Sequence, residues 1–388
     1  MRRTMTAAVT RVLDAAKALA STITAAGDRI EDERELPREL VDQFLDAGLF
    51  HLDVPSSYGG VEVDPMEASR VVEEVSAADG SAGWCVMLAM QAGLFGGFIP
   101  PDVAAEVLGN RGVFCGTARP IGRAVPVEGG YRISGRWPFA SGSSHGTHFT
   151  GEALLYEGGS ETPAKNEDGT DRVIPFFVPR EQVTIFDTWD TVGLRGTASH
   201  DFAITDTFVP DSHVFDFSKP QHEWALFRCG ALVFMNHGAH ALGLGRAGLA
   251  AAREVLTTKR GWGGVPLHEV GRVQEIFAVA TARYEAAHTY YYATGEALWT
   301  DVLESGGEGD PVLRAKARLA ANHALTESLA VVDMLHRVCA TTAIQRSNAL
   351  DRVFRDIHAA AAHVMVGPLV YEAAGRVLLG QPADFPLF

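Results

Sequence analysis

The sequence predicts a mostly α, α+β protein: a helical domain over residues 1–111, a compact β domain over 112–220 and a C-terminal four-helix bundle over 221–388. Three observations predict it. Ala-rich segments of helical period run from about Thr6 to Asn110, with breaks at "DVPSSYGG" and "FIPPD", where Pro, Ser and Gly end periodic patterns. Six short β-branched and aromatic runs follow, "VFCGTA", "YRISGRWPF", "HFTGEALLY", "VIPFFV", "QVTIF" and "HDFAITDTFV", separated by Gly, Asp and Pro. From about Gln221 four long periodic segments complete the chain: Glu223 to Leu256, Gly271 to Trp299, Pro311 to Val338 and Leu350 to Leu379.

Within the β region, "EGGSETPAKNEDGTDR" has the composition of an exposed hairpin loop. The opening residues carry Arg2 and Arg3, but Arg11, Asp14 and Lys17 interrupt any apolar core, so an amphipathic helix is expected there rather than a signal peptide. No apolar run approaches the roughly eighteen residues that a membrane span requires. A net charge of -15 without a basic cluster argues against nucleic acid. Cys85, Cys115, Cys229 and Cys339 are far apart in apolar settings, the pattern of reduced thiols in a cytoplasmic protein.

Several motifs are weak. "GLGRAG" matches a dinucleotide fingerprint at Gly243, Gly245 and Gly248, yet no second strand follows, so small residues at a close helix contact are expected. The closely spaced histidine pairs lack carboxylates at ligand spacing, and no metal is expected. "GSSHG" is not a nucleophile elbow.

"GRWPFASGSSHGTHF", Gly135 to Phe149, suits a flat aromatic cofactor such as a flavin. Such a ring needs an apolar wall, here Trp137 and Phe139, and hydrogen-bonding groups along its polar edge, here Ser141, Ser143, Ser144 and backbone N–H groups freed by Gly142.

Five blocks in order carry a family resemblance: Phe44 to Gly60, Ala77 to Trp84, Gly129 to Phe149, Trp189 to Pro210 and Asp351 to His363. From about Asp32 to Gly380 the chain resembles the acyl-CoA dehydrogenase superfamily. The resemblance implies a helical domain, a sandwich- or barrel-like β domain and a four-helix bundle, with flavin between the last two. Dehydrogenases of this kind carry a Glu base shortly after an "RD"; counted from Arg355 and Asp356, that place holds His363 or Val364, and Glu372 lies further along a helical pattern. "SAGW" at Ser81 to Trp84, Trp137 to Gly142 and His363 resemble instead the two-component (group D) flavin-dependent monooxygenases.

That branch implies FMNH2 or FADH2 delivered by a separate NAD(P)H:flavin reductase, O2 as co-substrate, and hydroxylation of an aromatic or polycyclic phenol, or oxidation of an amine, through a C4a-hydroperoxide. Ser141, with Ser143 next, would accept from flavin N5–H, and Trp137 would keep water from the ring. His363, with a pKa expected near neutrality, would act as base or hydrogen-bond partner, with His358 and His145 in reserve. Trp84, Gln91, His145 and His358 are expected on the substrate side, Gln91 standing near where relatives often have His. Arg195, Gly196, Thr197 and Ser199 would meet flavin or substrate, and Arg260 would reach the cofactor of a neighbouring subunit in a homotetramer. An FAD-dependent acyl-CoA dehydrogenase and a non-catalytic homologue are the alternatives.

Overall fold

The computed structural model describes residues 7–109 and 111–383. Arg2, Arg3, Asn110 and the last five residues of the bundle segment lie outside them. Five helices come first: α1 (Ala7–Glu33), α2 (Arg38–Asp46), α3 (Pro65–Ala78), α4 (Gly80–Gly93) and α5 (Pro101–Gly109). Asp64 caps α3 through the Met66 N–H, with Pro65 in the first turn, and Asp79 caps α4 through the Ala82 N–H. The residues Gly80–Phe98 are long and apolar enough to cross a membrane, contrary to the sequence expectation, but 83% of that stretch is buried inside the protein. Its apolar character serves the core.

All six expected strands form: β1 (Phe114–Val127), β2 (Gly130–Ala140), β3 (His148–Leu155), β4 (Val173–Pro179), β5 (Thr184–Phe186) and β6 (His200–Pro210). They make one mixed sheet in the order β4-β3-β1-β2-β6-β5, parallel only between β1 and β3. Trp137 of β2 lies 5.4 Å from Phe176 of β4, although two strands separate them in the sheet. A flat sheet would hold them roughly 14 Å apart. The sheet therefore coils around Trp137 into a partial barrel. The polar segment before β4 is the exposed loop of the β3/β4 hairpin.

A helical turn, α6 (Gly230–Phe234), leads into α7 (Asn236–Thr258), α8 (Gly271–Ser305) and α9 (Pro311–Cys339). The fourth periodic segment is two helices, α10 (Ala349–Ala360) and α11 (Pro368–Leu378). Pro368 lacks an N–H and drives Gly367 into extended backbone, so the helix cannot run through, and His363 is left in the turn between.

"GLGRAG" lies wholly within α7. A Cβ on Gly243 would stand 2.5 Å from the Glu73 carbonyl oxygen of α3, which explains the small residue. Gly243→Ala is expected to lower stability by about 1–3 kcal/mol through overpacking, measured by urea unfolding. An unchanged midpoint would contradict the close contact.

Candidate active site

Trp84 on α4 is the hub of an aromatic cluster. Its indole meets the rings of His237, His240 and His363 edge-on, with centroids 5.6, 5.1 and 5.4 Å away. His237 and His240 share one face of the first turns of α7, and His237 stacks on His363 at 4.8 Å. The turn forced by Gly367 and Pro368 is what brings His363 here.

On its polar side Trp84 begins a chain of hydroxyls. Trp84 Nε1–H donates to Ser141 Oγ at 3.2 Å; Ser141 and Ser199 lie 2.6 Å apart, as do Ser199 and Thr197, and Thr197 donates to the Leu194 carbonyl at 2.9 Å. Indole only donates and a carbonyl only accepts, so the direction of every bond is fixed. Thr197 spends its hydrogen on Leu194, Ser199 on Thr197, and Ser141 on Ser199. What remains to Ser141 is one lone pair, and it can only accept.

The imidazoles are held neutral. His240 Nε2 lies 2.9 Å from the Gly80 carbonyl and so carries the proton, leaving Nδ1 without a partner. His363 Nδ1 accepts from the Met365 N–H, which puts the neutral ring's hydrogen on Nε2. Neither nitrogen of His237 has a partner; the nearby Phe234 carbonyl lies outside hydrogen-bond geometry. Burial, then the Arg318 charge, pushes His363 down to about 4, and burial lowers His237 well below the ordinary imidazole range. The expectation of a pKa near neutrality is thus corrected. His363 is a neutral donor and acceptor.

The "RD" pair anchors the loop that feeds the hydroxyl chain. Asp356 accepts from the Leu194 N–H at 2.6 Å, Ser81 Oγ from the Gly196 N–H at 3.1 Å, and Arg355 donates to the Val192 carbonyl at 2.9 Å. Arg352 and Arg355 both pair with Glu31 of α1. These contacts line a water-sized cavity of about 10 Å³ together with Asp79 and Arg195.

Two sets of buried groups make stability depend on pH in opposite senses. His145, His240 and His363 are pushed down to about 4, chiefly by burial. Each protonates more readily in the unfolded chain, so its contribution is complete above about 6.5 and is lost as pH falls toward about 4. Asp79 is raised to about 6 by burial, and Asp356 to about 8 by burial and by Asp79. These carboxyls keep protons that the unfolded chain releases above about 4, so their contribution is lost as pH rises toward about 8. The highest Tm is expected near pH 6 to 7 (roughly, from these crossing windows). Asp79→Asn should flatten the alkaline decline alone; a wild-type Tm still rising through about pH 8 would contradict the carboxyl pairing.

Not every sequence-predicted residue joins this site. Trp137 is fully buried, donates to the Glu152 carbonyl and stacks on Phe202, so it fills the sheet core and cannot shield a cofactor. Phe139, 55% exposed beside Trp189, presents the aromatic surface instead. Ser143 has spent its hydroxyl on the Ala198 carbonyl, and Gly142, at φ 81°, donates its N–H to the Thr197 carbonyl. Arg195 is committed to Asp190 and to the carbonyls of Thr191 and Glu31, and holds its loop. Gln91, on the Trp84 face of α4, donates to the Val233 carbonyl and so fixes the segment ahead of His237.

His145 stacks on Phe50, away from Trp84. His358 is exposed on α10, bonded to the Phe354 carbonyl and 3.4 Å from Asp333, so neither reserve histidine enters the cluster. Arg260 lies beyond the far end of α7, roughly 30 Å along the helix from His240. Within one chain it cannot meet this site. Sequence reasoning missed His237 and His240, whose spacing was weighed only for metal, and Arg318, which carried no signal.

The arrangement suits a flavin: an exposed aromatic face at Phe139, an acceptor-only hydroxyl at Ser141, and neutral imidazoles with unfilled hydrogen-bonding capacity. Comparisons with known proteins agree. Residues 8–99 match the acyl-CoA dehydrogenase N-terminal domain family and residues 235–368 the C-terminal domain family. The indole-3-acetate monooxygenase of Pseudomonas putida is 31% identical over 363 residues, covering 90% of this chain and 88% of that protein. The FADH2-dependent resorcinol hydroxylase oxygenase component of a Rhizobium species is 26% identical, covering 96% of this chain and 93% of its own length. The crystal structure of the HsaA monooxygenase from Mycobacterium tuberculosis superposes with a TM-score of 0.88 at 24% identity, covering 98% of this chain and all of that one. The chain belongs to the acyl-CoA dehydrogenase superfamily, in its branch of flavin-dependent monooxygenases.

Proposed function

We propose that the chain is the oxygenase component of a two-component system, taking FMNH2 or FADH2 from a separate NAD(P)H:flavin reductase and hydroxylating an aromatic substrate with O2. The observation that carries this reading is Ser141, whose hydroxyl is polarised by Ser199 and Thr197 so that it only accepts. Reduced flavin has a hydrogen on N5 to offer it; oxidised flavin does not. Bound reduced flavin supplies the electrons that split O2 between product and water. Phe139 and Trp189 offer the ring a wall, and Ser141 holds the proton at N5. His363, neutral, with Nδ1 held by the Met365 N–H, donates from Nε2. The names of relatives that act on indole-3-acetate and resorcinol support an aromatic substrate.

The dehydrogenase alternative needs a carboxylate base at the site, and Glu372 is exposed on α11. Unfilled buried imidazoles argue against a scaffold role, because burying them without partners costs stability unless a ligand uses them. The homotetramer belongs to this proposal, supported by fully exposed Trp262 close to Arg260 and by the exposed Leu369 and Tyr371 on α11. Four buried free thiols support a cytoplasmic site of action.

The reading is tested by turnover with a flavin reductase, NADH, an aromatic substrate and ¹⁸O2. One labelled oxygen is expected in the product. Product free of label would overturn it.

A further inference from the structure

Arg318 on α9 is 1% exposed. Its Nη2 donates to the Met365 carbonyl at 3.2 Å, and its Cζ lies 5.6 Å from the Phe234 ring. Nε and Nη1 are buried without any partner. Among the described residues no Asp or Glu pairs with it, whereas the buried Glu31 meets Arg352 and Arg355 and the buried Glu73 meets His288 and Arg246. A guanidinium stays charged at every physiological pH, and one carbonyl with one ring face does not replace its lost hydration.

The location narrows what the missing partner is. Arg318 bonds the carbonyl of Met365, two residues past His363, and faces Phe234, whose ring stacks on His237, so it stands at the histidine end of the cluster, while the flavin's acceptor stands at the Ser141 end. The neighbouring rings are aromatic: Phe234, His237, His363 and, past them, Trp84. An anion bound here has its aromatic part against those rings and its charge on the guanidinium.

Resting on the monooxygenase reading above, we propose that Arg318 binds the carboxylate of the substrate, and that the substrate is therefore an aromatic acid rather than a neutral arene. Two other features follow. Arg318 grips the turn that carries His363 through the Met365 carbonyl, so a carboxylate arriving at the guanidinium also bears on the placement of that imidazole. Asn322, one helical turn along α9, donates to the Gly367 carbonyl of the same turn, which keeps the turn in place when Arg318 is changed.

The test is calorimetric binding, without turnover, of three acids and their neutral amides: indole-3-acetate, phenylacetate and benzoate against indole-3-acetamide, phenylacetamide and benzamide. At least one acid is expected to bind the wild-type protein about 100-fold tighter than its amide, as removal of one partner from a buried charge pair implies. Arg318→Gln should bring that acid down to the amide's affinity and leave the amide unchanged, while Arg318→Lys retains most of the preference and guards against a misfolded variant. If no acid outbinds its amide in the wild type, or if Arg318→Gln weakens acid and amide alike, the proposal is overturned. It is equally overturned if Arg318→Gln weakens binding of FMNH2 instead, which would make the anion the cofactor's phosphate. Absence of oxygen transfer in the ¹⁸O2 experiment would sink the monooxygenase reading alone, because acid preference is read from binding.

Discussion

Ser141→Ala is expected to divert most of the oxygen consumed into hydrogen peroxide, with product formed per O2 falling about tenfold or more, the consequence of losing one hydrogen bond of about 1.4 kcal/mol. The reason is directional. Ser199, held by Thr197, takes up the Ser141 hydrogen, so beside the Trp84 N–H the Ser141 oxygen can only accept, and in the proposed reaction the reduced flavin N5–H would be its donor. Ser199→Ala should give a smaller loss of coupling, because Ser141 keeps its oxygen but its hydrogen is released to point elsewhere. Thr197→Ala, one link further, should be milder again. Peroxide and product measured together in the three variants check the order. Equal effects, or a Ser199→Ala loss exceeding that of Ser141→Ala, would remove the relay from the account.

His363→Ala carries the second large effect. Product formation is expected to fall by about 10²-fold, the range for removing one hydrogen-bond donor from a reacting centre, with affinity for reduced flavin unchanged. His363 is pushed down to about 4 by burial and by Arg318, so in the wild type its neutral form dominates from about one pH unit above that value. Lowering pH through the ordinary histidine range therefore should not switch it off. The rate of product formation is expected to be flat between about pH 5 and about pH 8. A break near pH 6.5 abolished by His363→Ala would contradict the neutral, buried imidazole.

Much of the fold was legible in the chain. Six strands and their hairpin loop stand out because β-branched and aromatic residues alternate between turn-forming breaks, and the "GLGRAG" glycines indicate close packing because no second strand follows them. The membrane-length stretch Gly80–Phe98 escaped notice because Gly, Ser and Gln dilute its apolar residues. Trp137 was misread for a definite reason. Residues two apart share a face in a regular strand, so Trp137 and Phe139 read as one wall. A register shift between Trp137 and Ala140, with Phe139 at φ 68°, breaks the alternation and turns Trp137 into the core while Phe139 faces out. Nothing in "ADGSAGW", "NHGAH" or "AAAAHVM" says that Trp84, His237, His240 and His363 meet, since that depends on where three separate segments pack. Arg318 was illegible because "LRAKARLA" reads as a solvated helix face.

The central claim, that this chain binds reduced rather than oxidised flavin and holds N5–H at Ser141, is tested most directly by anaerobic titration of wild-type protein and Ser141→Ala with FMN, FMNH2, FAD and FADH2. Wild-type affinity for one of the reduced flavins is expected to be at least tenfold above that for its oxidised form, with that preference lost in Ser141→Ala (about 1.4 kcal/mol). Equal affinity for oxidised and reduced flavin, or a preference untouched by the substitution, would contradict it.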